Sequence, residues 1–187
     1  VGGNLAAALT RAGHEVTVAD RAPGAAADVA RSAEVVINAT PGAGSLERLT
    51  ALRDELRGKI LIDVSNATVD GPDGLPGDLI HPGSSLAEQL QEALPDTHVV
   101  KTLNTMLFPV MTAPATLTRT PTAFLSGDDP QAKQTVRDLL TDLGWHQDWI
   151  TDLGAIRTAR ATEAAILFVP HVIRADGFTP FAISIAR

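Results

Sequence analysis

The sequence predicts an α/β fold with a doubly wound, mostly parallel sheet. Short apolar, β-branched runs alternate with amphipathic helical segments along the whole chain, the pattern of strands covered by helices on both faces. Several of those runs end in small polar residues, as strands do at a ligand-binding carboxyl edge. At 187 residues, with 44% hydrophobic and 20% charged side chains, the chain is long and apolar enough for one substantial core.

Leu5 to Arg11 reads as a helix closed by Gly13, a residue suited to the left-handed position after a helix. Glu15 to Ala19 reads as a short strand and Ala25 to Ser32 as one short helix. "EVVINA" (34–39) is a buried strand, Leu46 to Leu56 repeats apolar positions at helical spacing, and "KILIDV" is the next strand. The Gly- and Pro-rich stretch from Asn66 to Gly83 predicts a loop. "SSLAEQLQEALP" predicts a helix with a serine N-cap, and "THVVKTL" a strand. The remainder predicts a strand at "TAFLSG", a helix over Pro130 to Leu143 and a strand at "WHQDW". A long helix over Ala155 to Arg174 and a final strand "FAISIAR" complete the chain.

Composition narrows the function. A formal charge of −7 without a Lys/Arg cluster argues against nucleic-acid binding. The sequence holds no apolar run of membrane-spanning length, so no membrane partner is expected. With no cysteine it has no disulfide, thiolate metal site or cysteine nucleophile, which suits a cytoplasmic protein. The five histidines lack metal-ligand spacing, and no metal site is expected.

The chain opens on "VGGNLAAALTRAGHEVTVAD". Gly2 and Gly3, a small-residue helix and a strand closed by Asp20 form the second half of the Rossmann dinucleotide fingerprint G-x-G-x-x-G. Its first half, a strand and two further glycines, is expected upstream, so the Rossmann-like fold reads as N-terminally incomplete. Between Ala19 and Glu34 there is room for one short helix, which leaves the adenine side of the site less enclosed. Asp20 suits the ribose hydroxyls of NAD, whereas Arg21 suits the 2′-phosphate of NADP. Thr40 and Pro41, Ser65 and Asn66, then Lys101, Asn104 and Thr105 follow three successive strands. Together they fit a cleft for a nicotinamide and a second ring. Glu163, among alanines on the last long helix, could reach that cleft or serve a helix N-terminus.

These segments resemble the NADPH-dependent reductases of coenzyme F420, a deazaflavin, and their bacterial relatives. The resemblance rests on "GGNLAAALTRAGHEVTVADR", "VVINATP", "ILIDVSNAT", "VVKTLNTM", "FLSGDDPQAKQTVRDLLTDLGW" and "DLGAIRTARATEA", which span nearly the whole chain. It implies a dinucleotide-binding region over residues 1–122, and a C-terminal part over 123–187 that completes the sheet and covers the redox-partner cleft. It further implies that Arg21 contacts the 2′-phosphate and that Thr40 and Pro41 line the nicotinamide ribose. Asn104 and Thr105 would flank the deazaflavin. The implied cofactor is NADP, with NAD as the alternative, and the implied partner is coenzyme F420 or a flavin. Hydride transfer between stacked rings needs no side-chain acid or base, so no residue is assigned as catalytic.

Two other readings remain open. A β-hydroxyacid dehydrogenase shares the front half but needs a lysine and an asparagine four residues apart; here Lys133 precedes Arg137, and Lys101 precedes Asn104 by three. A nucleotide-binding or structural protein without turnover is the other. The apolar run "EAAILFVPHVI" is a candidate homodimer surface.

Overall fold

The structure, a computed structural model, describes residues 1–20 and 22–185. In chain order its helices are α1 (Gly2–Arg11), α2 (Ala25–Ser32), α3 (Ser45–Thr50), α4 (Arg53–Leu56), α5 (Leu86–Ala93), α6 (Phe108–Met111), α7 (Pro130–Asp142), α8 (Ala159–Ala164) and α9 (Val169–Asp176). The strands are β1 (Val35–Asn38), β2 (Ile60–Asp63), β3 (Thr68–Asp70), β4 (Pro76–Leu79), β5 (His98–Lys101), β6 (Ala123–Leu125) and β7 (Ile150–Asp152).

β1, β2 and β5 form a parallel sheet in that order. Its register sets Val36 beside Leu61 and Val99, and Ile37 beside Ile62 and Val100. Side chains alternate across a sheet, so these two rows face opposite layers. Ile62, Val64 and Val100 pack with Leu5 and Leu9 of α1 and Val136 and Leu140 of α7. Leu61 and Val99 pack on the other face with Leu49, Leu56, Leu86 and Leu90 from α3, α4 and α5. Helices therefore cover both faces, as the sequence predicts. β6 and β7 pair in parallel. Lys101 and Ser126 exchange backbone hydrogen bonds in an antiparallel bridge that joins this pair to β5.

Local chemistry fixes the main helices. Ser85 Oγ accepts from the Glu88 amide and caps α5, and Asp129 does the same for α7 by accepting from the Ala132 amide at 2.6 Å, with Pro130 at its first position. At the far end of α7, Trp145 is buried and its indole Nε1 donates to the Met111 carbonyl at 3.0 Å.

Several elements differ from the sequence expectation, each for a physical reason. Residues 14–20 are without ladder pairing. In the Rossmann order a strand here pairs with the one preceding α1, and the described residues hold none. The expected loop at 66–83 contains the hairpin of β3 and β4. Its glycines serve the turn: Gly74 has φ +73°, and a Cβ on Gly77 would come within 2.9 Å of the Val69 carbonyl oxygen. The helix expected at 46–56 divides into α3 and α4, because the Leu52 amide bonds back three residues to Leu49 and tightens the turn.

"WHQDW" is not a strand. Gln147–Trp149 is a 3₁₀ turn, closed by the His146 and Trp149 rings 4.6 Å apart, and the strand begins only at Ile150. The long final helix is segmented into 3₁₀ turns, α8 and α9, with Pro170 unable to donate within it. The terminal strand shortens to a bridge between Ala182 and Met106. Its last two residues, Ala186 and Arg187, lie outside the described residues. Among the described residues no helix is long and apolar enough to cross a membrane.

Among the described residues, the buried hydroxyl oxygens of Thr50 and Thr102 lack a partner. Thr102 is fully buried, its Oγ1 accepts and donates nothing, and it lines a small, otherwise apolar void with Leu5, Leu9, Ile62 and Leu140. An unsatisfied buried hydroxyl costs about 1–3 kcal/mol. Thr102→Val keeps the shape and removes the hydroxyl, so it should raise Tm by roughly 2–4 °C per kcal/mol recovered. Thermal denaturation of the two proteins checks this.

Candidate active site

The sheet's carboxyl edge gathers most of the polar groups that the sequence singles out. Thr40 and Pro41 leave β1 exposed, Ser65 and Asn66 leave β2, and Asn104 and Thr105 follow β5. Two close approaches join them. A Cβ on Gly42 would sit 2.1 Å from the Asn66 carbonyl oxygen, so this position requires glycine to let the Thr40–Gly42 loop rest on the Asn66 backbone. Asn66 and Asn104 then pair reciprocally. Asn66 Nδ2 donates to the Asn104 carbonyl at 2.9 Å, and Asn104 Nδ2 donates to Asn66 Oδ1 at 3.0 Å.

The turn that aims Asn104 is strained. Leu103, 2% exposed in the core, has φ +59°, the left-handed region that L-residues with bulky side chains avoid at about 1–2 kcal/mol. Its neighbours hold it there, and the chain reverses so that Asn104 meets Asn66. Beyond it, the Thr105 carbonyl accepts from the Ile183 amide at 2.9 Å, tying this edge to the C-terminal segment.

The other predicted residues sit as follows. Gly2 begins α1 beside the end of β1, where an added Cβ would meet the Ala39 Cβ at 3.6 Å, whereas Gly3 has open space around it. Among the described residues no side chain caps α1, and its first amides and the positive end of its dipole lie beside the carboxyl end of β1. Asp20 is exposed and accepts from the Ala22 amide at 2.6 Å in a local turn, without a bond to the strand-end groups. Arg21 lies outside the described residues. Ser65, Asn104 and Thr105 are buried, and Ser65 gives its hydroxyl to Asp63 at 2.8 Å.

Beneath this edge lies a buried charged group of which the sequence reading singles out Lys101 and Glu163 but not Asp63. Lys101 Nζ lies 2.7 Å from Asp63 Oδ2 and 2.9 Å from Glu163 Oε1, and donates to the Ser65 carbonyl as well. All three charged side chains are buried. Glu163 also accepts from the Leu86 and Ala87 amides at 2.8 and 3.1 Å, so it serves the N-terminus of α5 rather than the open cleft. Burial pushes the Lys101 pKa down, but the carboxylates of Asp63 and Glu163 outweigh it and hold the value above the ordinary 10.5. Arg48 was also missed: its guanidinium donates to the Pro41 carbonyl at 2.7 Å and to Thr40 Oγ1 at 3.2 Å. The signal for Asp63 and Lys101 was a charge at the end of an otherwise apolar strand.

The arrangement fits a dinucleotide. The N-terminus of α1 suits a pyrophosphate, and the exposed Thr40 hydroxyl with the half-buried Asn66 amide at the adjoining strand end suits a ribose and a carboxamide. Lys133, the lysine weighed for a dehydrogenase, is occupied by Asp152 at 2.9 Å and the Gly154 carbonyl at 3.2 Å.

No family model matches the chain. A protein from Arthrobacter sp. FB24, provisionally assigned as an F420-dependent NADP reductase, is 38% identical over 100% of this chain and 94% of its own, with a TM-score of 0.89. An imine reductase of Streptomyces aurantiacus is 17% identical over 93% of this chain and 58% of its own, at a TM-score of 0.58. The NADP-bound pyrroline carboxylate reductase of Plasmodium falciparum is 12% identical over 93% and 61%, at 0.55. The last two share the fold. Fold, cleft and full-length similarity define an oxidoreductase of the Rossmann-like class. More narrowly, the chain belongs to the F420-dependent NADP reductase family.

Two outcomes follow for the site's architecture. Gly42→Ala should lower stability by about 1–3 kcal/mol, since the added carbon must displace the Asn66 backbone; denaturant unfolding measures it. The raised Lys101 pKa means that its stabilisation is whole below 10.5 and is lost as pH rises through the folded value. Tyrosine and cysteine are absent from the chain, so a fall in Tm above that pH reports on lysine. The Lys59→Met, Lys133→Met double variant should keep that fall.

Proposed function

We propose that this oxidoreductase transfers hydride between NADP(H) and a deazaflavin or flavin-type partner. The observation that carries the reading is the convergence of Thr40–Pro41, Asn66 and Asn104 at one sheet edge, with the nearby charges of Asp63, Lys101 and Glu163 buried and mutually paired. The edge then presents hydroxyl, amide and backbone groups, with the Arg48 guanidinium held against Thr40 and Pro41. Such a surface orients rings and excludes water, which is what hydride transfer asks of a protein. The F420 dependence assigned to the Arthrobacter protein supports a deazaflavin as the partner.

In this reading residues 1–122 bind the dinucleotide, and residues 123–187 complete the sheet and cover the partner's cleft. Gly2 and Gly3 begin the helix whose amides receive the pyrophosphate. Thr40 and Pro41 line the nicotinamide ribose, while Ser65 and Asn66 shape the floor beside them. Asn104 and Thr105 flank the partner's ring. When bound, the nicotinamide and the partner's ring supply the hydride donor and acceptor. Arg21 suits the 2′-phosphate by its guanidinium, against the repulsion of Asp20. A homodimer through residues 163–173 is part of the proposal, supported by the exposed side chains of Leu167 and Phe168; sedimentation at micromolar concentration tests it.

Parallel fluorescence titrations with NADPH and NADH test the cofactor. NADPH should bind more tightly, and Arg21→Ala should abolish the preference. Preference for NADH in the native chain would make Asp20 decisive instead. Asn104→Ala should slow reduction of coenzyme F420 or FMN by about tenfold, one hydrogen bond's worth, with NADPH affinity retained.

A further inference from the structure

The last residues of the three paired strands form one row. Asn38, Asp63 and Lys101 are register partners, so their side chains leave the sheet on the same face, and all three are buried. Asn38 Nδ2 donates to Asp63 Oδ1 at 2.8 Å, and Lys101 Nζ donates to Asp63 Oδ2 at 2.7 Å. The row is a continuous polar tie across the sheet, directly below the cleft.

Both ends of the row reach the cleft's lining. On one side, Asn38 Oδ1 accepts from the hydroxyl of Thr40 at 2.6 Å and from its amide at 3.3 Å. On the other, Asp63 Oδ1 accepts from the Ser65 hydroxyl and amide at 2.8 and 3.2 Å, while Lys101 holds the Ser65 carbonyl. The next residue, Asn66, pairs with Asn104. Each of these lining groups is thus separated from the Asp63–Lys101 pair by one or two hydrogen bonds.

We infer that Asp63 and Lys101 are positioning residues: their buried pair fixes the Thr40–Pro41 side of the cleft relative to the Asn66–Asn104 side. This inference rests on the hydride-transfer reading, in which those sides hold the two rings. A buried ion pair is poor evidence for stability, because apolar replacements often serve as well, so its retention under a cleft points to geometry. Neither residue touches a ring; both act through Asn38, Ser65 and Asn66.

Asp63→Asn keeps the shape and weakens the pairing, and Lys101→Met removes the ammonium. For whichever variant retains a cooperative melt, three measurements are made. Steady-state kinetics with coenzyme F420 or FMN should show kcat reduced by about 100-fold, as expected of a misplaced reacting pair, with KM for NADPH little changed. Hydrogen exchange should rise about tenfold at residues 40–42 and 65–66 and stay constant across α7. NADPH should protect both sides of the cleft in the native protein but residues 40–42 alone in the variant.

Native kcat in a folded Asp63→Asn overturns the inference. So does exchange that rises across α7 as much as at the cleft, which would make the pair a general stabiliser. If the native protein binds NADPH yet reduces neither partner, the hydride-transfer reading fails, and the exchange measurements alone decide the inference.

Discussion

The Asp63–Lys101 contact at 2.7 Å is the constraint on which the rest of the cleft depends. Removing either charge from water is expensive, and direct attraction repays it only if the remaining lone pairs and protons are also satisfied. Here they are. Asp63 takes donors from Asn38 and Ser65, and Lys101 adds Glu163 and the Ser65 carbonyl. The group still carries one surplus negative charge. That charge is met by the amides of Leu86 and Ala87 at the positive end of α5. Three strands, a helix N-terminus and a segment from near the C-terminus are thereby locked to one another in a single polar cluster.

The position of that cluster follows from sheet geometry. On the face packed by α3, α4 and α5, the rows of the sheet are Val36–Leu61–Val99 and then Asn38–Asp63–Lys101. One step along each strand changes faces, and two steps along the same face replace an apolar row with a polar one. The apolar row joins the core of Leu56, Leu86 and Leu90, while the polar row begins where that core ends. On the opposite face Ile62 and Val100 give way to Val64 and to Thr102, whose hydroxyl lacks a partner. The polar row itself is satisfied, whereas the row behind it leaves the Thr102 hydroxyl unpartnered.

Legibility in the sequence tracks how local each feature is. β1, β2, β5 and α7 are readable because β-branched runs, a Pro at a first turn and an Asp cap are local signals. The hairpin of β3 and β4 is not, because Gly71, Gly74 and Gly77 are equally at home in an irregular loop. Residues 14–20 mislead for the opposite reason: their alternation is that of a strand, but a strand needs a ladder partner. The site divides in the same way. Thr40, Asn66 and Asn104 can be picked out as strand-end residues, whereas the Asn38–Asp63–Lys101 row depends on interstrand register, which no single segment encodes. Glu163 is assigned to α5 only by a contact that spans 77 residues of chain.

The burial of the Asp63, Lys101 and Glu163 charges has a consequence for chemistry. Charges held by several fixed donors do not reorient when charge moves nearby, so they add a constant field instead of a reorganisation barrier. Groups such as Thr40, Asn66 and Asn104 can then present hydrogen bonds whose directions are set from below. The strained turn at Leu103 fits the same logic, since a backbone held at φ +59° aims Asn104 without a flexible side chain as intermediary. In the proposed reaction the rings must approach within a narrow range of distance. A cleft whose two walls are tied by short, buried bonds meets that demand through alignment, with no exposed acid or base needed to assist.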